Sequence, residues 1–346
     1  MHKDQCLKIA QDWLSHFEKV LQSGKSNDLE DCFHLESHWR DLLAFTGTIS
    51  PYEGAKEISL GLSSFQELAQ AHSFRIIDKH AQPRVVSRLG RPVIEAIFAF
   101  ETKLGRGDGV VRLPEDSQKT AWTFLTTLSE LKNFEEKVGL NRPSGEAYSR
   151  NFGGSNWLDQ RQESIKFSNR DPVVLVVGGG QAGLAVAARL GQLEIETLVI
   201  DKHDRIGDNW RKRYHSLALH NQIHVNHLPY LPFPPTWPKY IPKDMLANWF
   251  ELYAEVMQVD FWTGTELINA DYNSSSEHWV AMVRQNNNSE RILKPKHIIF
   301  ANGVSGIPYR PKLGGLCDFR GEILHSEGFS NGAECGDDFS CDNDIS

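Results

Sequence analysis

Apolar residues recur at two different periods along this chain, and the change of period divides it. Near the start, Trp13, Phe17 and Leu21 return every fourth residue, the spacing that lines one face of a helix. A second stretch of helical spacing surrounds residues 60–68. Further on the period falls to two. Residues 93–102 are crowded with β-formers (Val93, Ile94, Ala96, Phe98, Phe100), and Trp122, Phe124 and Leu128 share one face of the segment 121–128. Helices followed by strands predict an α+β unit over residues 1–140, with the glycines of 105–109 as a turn between neighbouring strands. Residues 141–170 mix Pro143 with Gly, Asn, Ser and charge, so they read as a linker with one anchoring point at Trp157-Leu158-Asp159. An unbroken apolar run, 173–177, then opens an α/β segment expected over residues 171–329.

That run leads into Gly178-Gly179-Gly180-Gln181-Ala182-Gly183, and some twenty residues later the chain reads Leu198-Val199-Ile200-Asp201. Gly178 permits a tight strand-to-helix turn, Gly180 lets backbone amides approach a pyrophosphate, and Gly183 lets the following helix sit close on the sheet. The helix start carries positive partial charge, which suits a phosphate. Asp201 falls at the end of the second strand, where a carboxylate accepts ribose hydroxyls and repels a 2′-phosphate. FAD or NAD therefore fits the turn better than NADP. The bland alternative is a tight turn with no ligand. Against it stand the strand before, the helix after (Leu184, Ala187, Ala188, Leu190) and the acid.

At 346 residues the chain has room for two domains. Hydrophobic content of 40% and a net charge of −8 describe a mildly acidic globular protein, without the basic stripe that nucleic-acid binding needs. The first residues lack a signal-peptide pattern, and no apolar run approaches the roughly 18 residues of a membrane span, so a cytoplasmic location is expected. Five cysteines without a CxxC predict free thiols, neither disulfides nor a zinc site. No metal site is expected: the acids of the polar stretch 330–346 read as a disordered tail.

Further motifs give the α/β segment a family likeness. They are Gly207-Asp208-Asn209-Trp210-Arg211, Leu219-His220, Ala301-Asn302-Gly303, and Phe319-x-Gly321-x-x-x-His325-x-x-x-Phe329. The last matches each fixed position of the identifying sequence of the flavin-containing monooxygenases, which this segment resembles. The stretch Trp39 to Ala44 is similar to one found in a microbial branch of that family, where a SnoaL-like α+β cone precedes the flavin domain. The resemblance implies a SnoaL-like cone followed by a partial doubly wound, FAD-binding Rossmann-type domain. It also implies NADPH as reductant, dioxygen, a small-molecule substrate, and oxygen transfer to a soft nucleophile or a carbonyl. A homodimer is compatible with it. Carried over, Gly178, Gly180, Gln181, Ala182 and Gly183 would hold the FAD pyrophosphate and Asp201 the adenosine ribose. Asn209 and Trp210 would lie along the ribityl chain, Leu219, His220 and Asn221 near the flavin ring, and Ala301, Asn302 and Gly303 beneath the adenine. Asn221 and His325 are the catalytic candidates, His325 in the link toward an NADPH domain.

Two departures stand out. Asn221-Gln222 replaces the Asp-Pro common in that branch, and residues 330–346 contain no second GxGxxG for NADPH, so the chain is expected to stop short of that domain. Two other readings stay open: a non-catalytic small-molecule-binding or dimerisation protein acting through residues 1–140, and an NAD-binding reductase using Asp201.

Overall fold

The structure, a computed structural model, describes residues 2–77, 81–143, 153–304, 306, 308–321 and 323–331. It divides into two compact units, Met1–Glu135 and Glu136–Ser346.

The first unit runs α1 (Lys3–Ser23), α2 (Ser26–Glu30), β1 (Phe33–Leu42), β2 (Ile49–Glu53), α3 (Ala55–Ala69), β3 (His72–Ile76), β4 (Arg84–Arg88), β5 (Arg91–Glu101), β6 (Gly105–Pro114) and β7 (Ala121–Leu131). Its seven-stranded sheet has the order β2-β1-β7-β6-β5-β3, with β4 also paired to β5. Only β1 and β7 pair in parallel; the other neighbours are antiparallel. The apolar faces of α1 and α3 close over one side of this sheet. Trp13 and Phe17 stack at 5.1 Å, and Phe17 meets Phe124 edge-on at 5.1 Å, joining helix to sheet through rings that prefer these offset geometries.

Residues 105–109 are not the expected turn but the first half of β6. The reason is steric. Gly107 faces Phe100 and Gly109 faces Phe98 across the β5–β6 ladder. A Cβ at either glycine would collide with the facing phenylalanine ring, and one at Gly105 would collide with Leu128. The glycines act as floor space for aromatic side chains on the helix-covered face, a use of strand glycine that composition alone cannot tell from a turn.

A second polar device sits in the same core. Asp41 is fully buried. Its Oδ1 accepts from Thr126 Oγ1 at 2.6 Å, and Thr126 Oγ1 accepts in turn from Trp39 Nε1 at 2.9 Å. Its Oδ2 accepts from the Phe45 and Thr46 amides at 3.0 and 2.8 Å and from Thr46 Oγ1 at 2.8 Å. One carboxylate thereby ties β1 to β7 and pins the start of the β1–β2 connection.

The second unit contains α4 (Trp157–Lys166), β8 (Val174–Val177), α5 (Gln181–Gln192), β9 (Thr197–Ile200), α6 (Asp208–Arg211), α7 (Lys243–Val256), β10 (Asp260–Trp262), β11 (Thr265–Asn273), β12 (His278–Gln285), β13 (Glu290–Leu293) and β14 (His297–Phe300). Within the segment expected as linker, residues 157–166 form α4. A reciprocal capping box starts it: Asn156 Oδ1 accepts from the Asp159 amide, and Asp159 Oδ2 from the Asn156 amide, both at 2.9 Å. Residues 144–152 of that segment lie outside the described residues, as do 332–346 of the expected tail, with Cys335 and Cys341.

The parallel sheet has the order β10-β9-β8-β14. Val174, Val176 and Val199 pack on one face with Leu184 and Ala188 of α5 and Phe250 and Tyr253 of α7. On the other face Leu175, Leu198 and Ile200 meet Ala281, Val283 and Leu293, with Phe167 at the end of α4. This differs from the doubly wound layering expected. The antiparallel meander β11-β12-β13, not a set of crossover helices, covers much of the second face. The hairpin turns explain it, because Asn/Ser-rich loops at 273–276 and 286–289 reverse the chain too tightly for a helical crossover.

Replacing Asp41 by Ala should destabilise the first unit by roughly 2–4 kcal/mol, because several buried donors lose their acceptor together. Urea unfolding followed by circular dichroism measures it; a loss below about 0.5 kcal/mol, the scale of an ordinary surface change, would contradict the role given to this carboxylate.

Candidate functional site

The site grows from the hand-over of β8 to α5. Gly178 has φ +108°, a conformation open to glycine, and a Cβ there would lie 2.5 Å from the Ala301 carbonyl oxygen. A Cβ on Gly183 would overlap the carbonyl oxygen of Gly178. Gly180 is the N-cap of α5, and its carbonyl accepts the Leu184 amide at 2.9 Å. The first amides of α5 have no acceptor inside the helix, and they make its start electropositive.

Asp201, at the end of β9, turns its carboxylate back on this turn. Oδ2 accepts the Gly179 amide at 2.7 Å. Oδ1 accepts the His203 amide at 2.9 Å and lies 2.6 Å from His203 Nδ1. The acid is thus the staple of the glycine turn. Beside it the ring of Phe261, from β10, fills the space that a Cβ on Gly179 would need.

From the other side, Gly207 (φ +86°) caps the start of α6, and its missing side chain lets it lie against Ala247 of α7. The helix presents two residues to the turn. Asn209 Nδ2 stands 3.1 Å from where a Cβ of Gly180 would be, and Asn209 Oδ1 is buried with no hydrogen-bond partner among the described residues. Trp210 Nε1 donates to Gln181 Oε1 at 3.3 Å. Leu219 packs against the same core as Trp210 and Ala301. Trp237 is held by packing: it stacks on Phe233 at 5.2 Å and meets Trp249 at 5.3 Å.

The turn, Asp201, Asn209, Trp210 and Ala301 therefore come together, and the Asn302 amide adjoins Gly178. No hydrogen bond brings the remaining candidates to the turn among the described residues. Gly303 (φ +80°) has open space around it. His220 and Asn221 are exposed, and the Asn221 carbonyl accepts from Asn226 Nδ2 at 3.3 Å. His325 Nε2 lies 3.1 Å from the Tyr309 carbonyl, and Nδ1 accepts the Glu327 amide at 3.2 Å. Both of its ring nitrogens are engaged within residues 308–331.

Sequence reasoning passed over His203 and Phe261. His203 carried a readable signal, since an Asp whose side chain bonds the backbone two residues on is a common local turn. Phe261 carried none, because its contact depends on β10 pairing beside β9.

Asp208, at the start of α6, is a buried carboxylate beside Asn209. Burial works to raise its pKa, but the hydrogen bonds from Arg211 (2.5 Å) and Lys212 (3.2 Å) outweigh it and hold the carboxyl below its ordinary value. A pKa lower in the folded than in the unfolded chain stabilises the fold above the unfolded value, near pH 4, and the contribution is lost as pH falls through the folded value.

Comparison with known proteins gives the site a context. Residues 176–235 match the family described as NAD(P)-binding Rossmann-like domain. The chain is 33% identical over 162 residues to a probable indole-3-pyruvate monooxygenase, YUCCA1, of Arabidopsis thaliana, covering 46% of this chain and 38% of that one. It is 29% identical over 164 residues to the indole-3-pyruvate monooxygenase YUCCA1 of Oryza sativa subsp. japonica, covering 47% and 39%. The matched relatives are monooxygenases. Among solved structures, the flavin-containing monooxygenase from Stenotrophomonas maltophilia aligns with 23% identity and a TM-score of 0.42, over 47% of this chain and 48% of that one. The matches span well under half the length of these plant monooxygenases. No helix among the described residues is long and apolar enough to cross a membrane.

The pH dependence gives a direct check. The difference in urea midpoint between the wild type and Asp208→Asn should shrink as pH falls from about 6 to about 3, the range in which the paired carboxylate loses its advantage. A difference of the same size at both ends would contradict the pairing.

Proposed function

We propose that the second unit holds FAD across the Gly178 to Gly183 turn, and that the polypeptide serves NADPH- and dioxygen-dependent oxygenation of a small molecule. The observation that supports this best is a buried oxygen, Asn209 Oδ1, left without a partner beside a glycine turn. Buried polar atoms are nearly always satisfied, so such an atom fits a missing donor, as a ribityl hydroxyl would be. Helix-end amides on the same turn suit a pyrophosphate, and Asp201 suits a ribose. The similarity to monooxygenases supplies the reaction class.

A bound flavin would supply the redox chemistry with nicotinamide and dioxygen. The chain's share is holding and shielding. Gly178, Gly180, Gln181, Ala182 and Gly183 would offer backbone amides and close approach. Asp201 would exchange its bond to His203 for ribose hydroxyls. Trp210, fixed through Gln181, and Leu219 would give an apolar wall, with His220 nearby, and residues 301–303 would close the adenine side. Asn221 and His325 stay the catalytic candidates of the family resemblance, and the first unit is read as the SnoaL-like domain. A second reading, NAD at the same turn, is favoured by the description of the matched family.

Gel filtration of FAD-reconstituted protein, read by flavin absorbance, tests this. Asp201→Ala should weaken FAD binding by roughly 1–3 kcal/mol, the worth of charge-assisted hydrogen bonds. Gly180→Val should abolish retention yet leave the fold intact, because a Cβ there meets only the flexible end of Asn209 and fills ligand space. Equal flavin retention by all three proteins would sink the proposal; retention of NADH but not FAD would favour the second reading.

A further inference from the structure

The face of the seven-stranded sheet turned away from α1 and α3 carries an ordered charge pattern. Strand register places Glu53, His38, Thr123, Arg112, Glu95 and Arg84 in one row across β2, β1, β7, β6, β5 and β4. The next row reads Pro51, Arg40, Leu125, Val110 and Ile97, apolar apart from one arginine. Between the rows lies a depression of about 440 Å³, with Pro51, Leu125 and Val110 along its apolar part and His38, Arg40, Arg112 and Glu53 around it. That volume falls within the range of small-molecule sites.

Its charge is unbalanced. Glu95, only 9% exposed at its side chain, is the acid for three guanidiniums: Arg88 at 2.8 Å, Arg112 at 2.9 Å and Arg84 at 3.4 Å. Of that cluster only Arg112 lines the depression, where Arg40 and Arg112 stand against Glu53, a surplus of one positive charge with His38 neutral. Arg112 is held by this cluster, with Nε on Glu95 and Nη1 3.5 Å from Thr123 Oγ1, while it also lines the depression. Across from it Arg40 has no ion pair among the described residues. Glu53, the one acid lining the site, lies 3.9 Å from His38. A fixed guanidinium and a free one, set over an apolar strip, match a ligand with one anionic end and one apolar body.

We propose that this depression binds a small organic carboxylate, with Arg40 and Arg112 taking the carboxylate and Pro51, Val110 and Leu125 the apolar body. The site belongs to the first unit alone and does not rest on the flavin reading.

Isothermal titration of the full chain with sodium benzoate, with benzyl alcohol as the uncharged control, tests it. Benzoate should bind saturably, more tightly than benzyl alcohol, and more weakly as salt rises. Arg40→Gln, on an exposed side chain with no ion pair among the described residues, should leave the thermal melt unchanged and weaken benzoate binding about tenfold or more, as expected for loss of one charge-assisted contact. Arg112→Lys, which keeps the charge but loses the fork, should weaken it as well. Unsaturable heats, equal binding of the neutral control, or unchanged affinity in Arg40→Gln would overturn the proposal. So would loss of benzoate binding as the protein dimerises with concentration, which would make a second copy the occupant of this face.

Discussion

No methyl group fits between Gly183 and the carbonyl of Gly178, and the organisation of the second unit follows from that contact. Because α5 can press its first turn against the end of β8, the helix stays close to the sheet and its amides open onto the turn. Because Gly178 is equally bare, residue 301 passes directly beside it and β14 completes its pairing with β8. A side chain at either position would push the helix outward or the returning strand away, and the distance between amides, acid and Asn209 would be lost. The constraint is local, but the elements it locks together are more than a hundred residues apart in the chain.

In the first unit the corresponding economy of space is spread along a strand. Gly107 and Gly109 give up their side chains so that Phe100 and Phe98 can lie across β6. The rings then stack onward, Phe98 on Phe124 and Phe100 on Phe74, so the sheet is fastened to itself through aromatic contacts as well as through its ladder. Asp41 adds the polar counterpart, a buried carboxylate whose hydrogen bonds compensate the cost of desolvating it. The opposite face of the same sheet, turned away from α1 and α3, keeps its charges in rows.

Much of this was legible in the sequence where one residue type answers one physical need. The helical spacing of Trp13, Phe17 and Leu21, the β-rich run through Phe100, and the strand, glycine turn and acid from Val173 to Asp201 all correspond to elements observed. The misreadings share a cause. Glycines at 105–109 signal a turn when read locally, and only the facing phenylalanines reveal a strand; likewise 157–166 reads as linker until Asn156 and Asp159 are recognised as a cap. The three-stranded meander escaped notice because its strands are exposed on one side and weakly alternating. Within the candidate site, the residues fixed by backbone geometry could be named in advance. His203 and Phe261, which act through neighbours brought in by folding, could not.

The bond between Gly179 and Asp201 has a kinetic consequence. A glycine loop left to itself would sample many conformations, and a ligand would have to capture the rare one that fits. Here Asp201 already holds one amide of the loop in place. For a dinucleotide held there as proposed, less ordering would accompany the encounter, so capture would approach the pace set by diffusion and orientation, and differences among dinucleotides would be expressed mainly in how long each one stays.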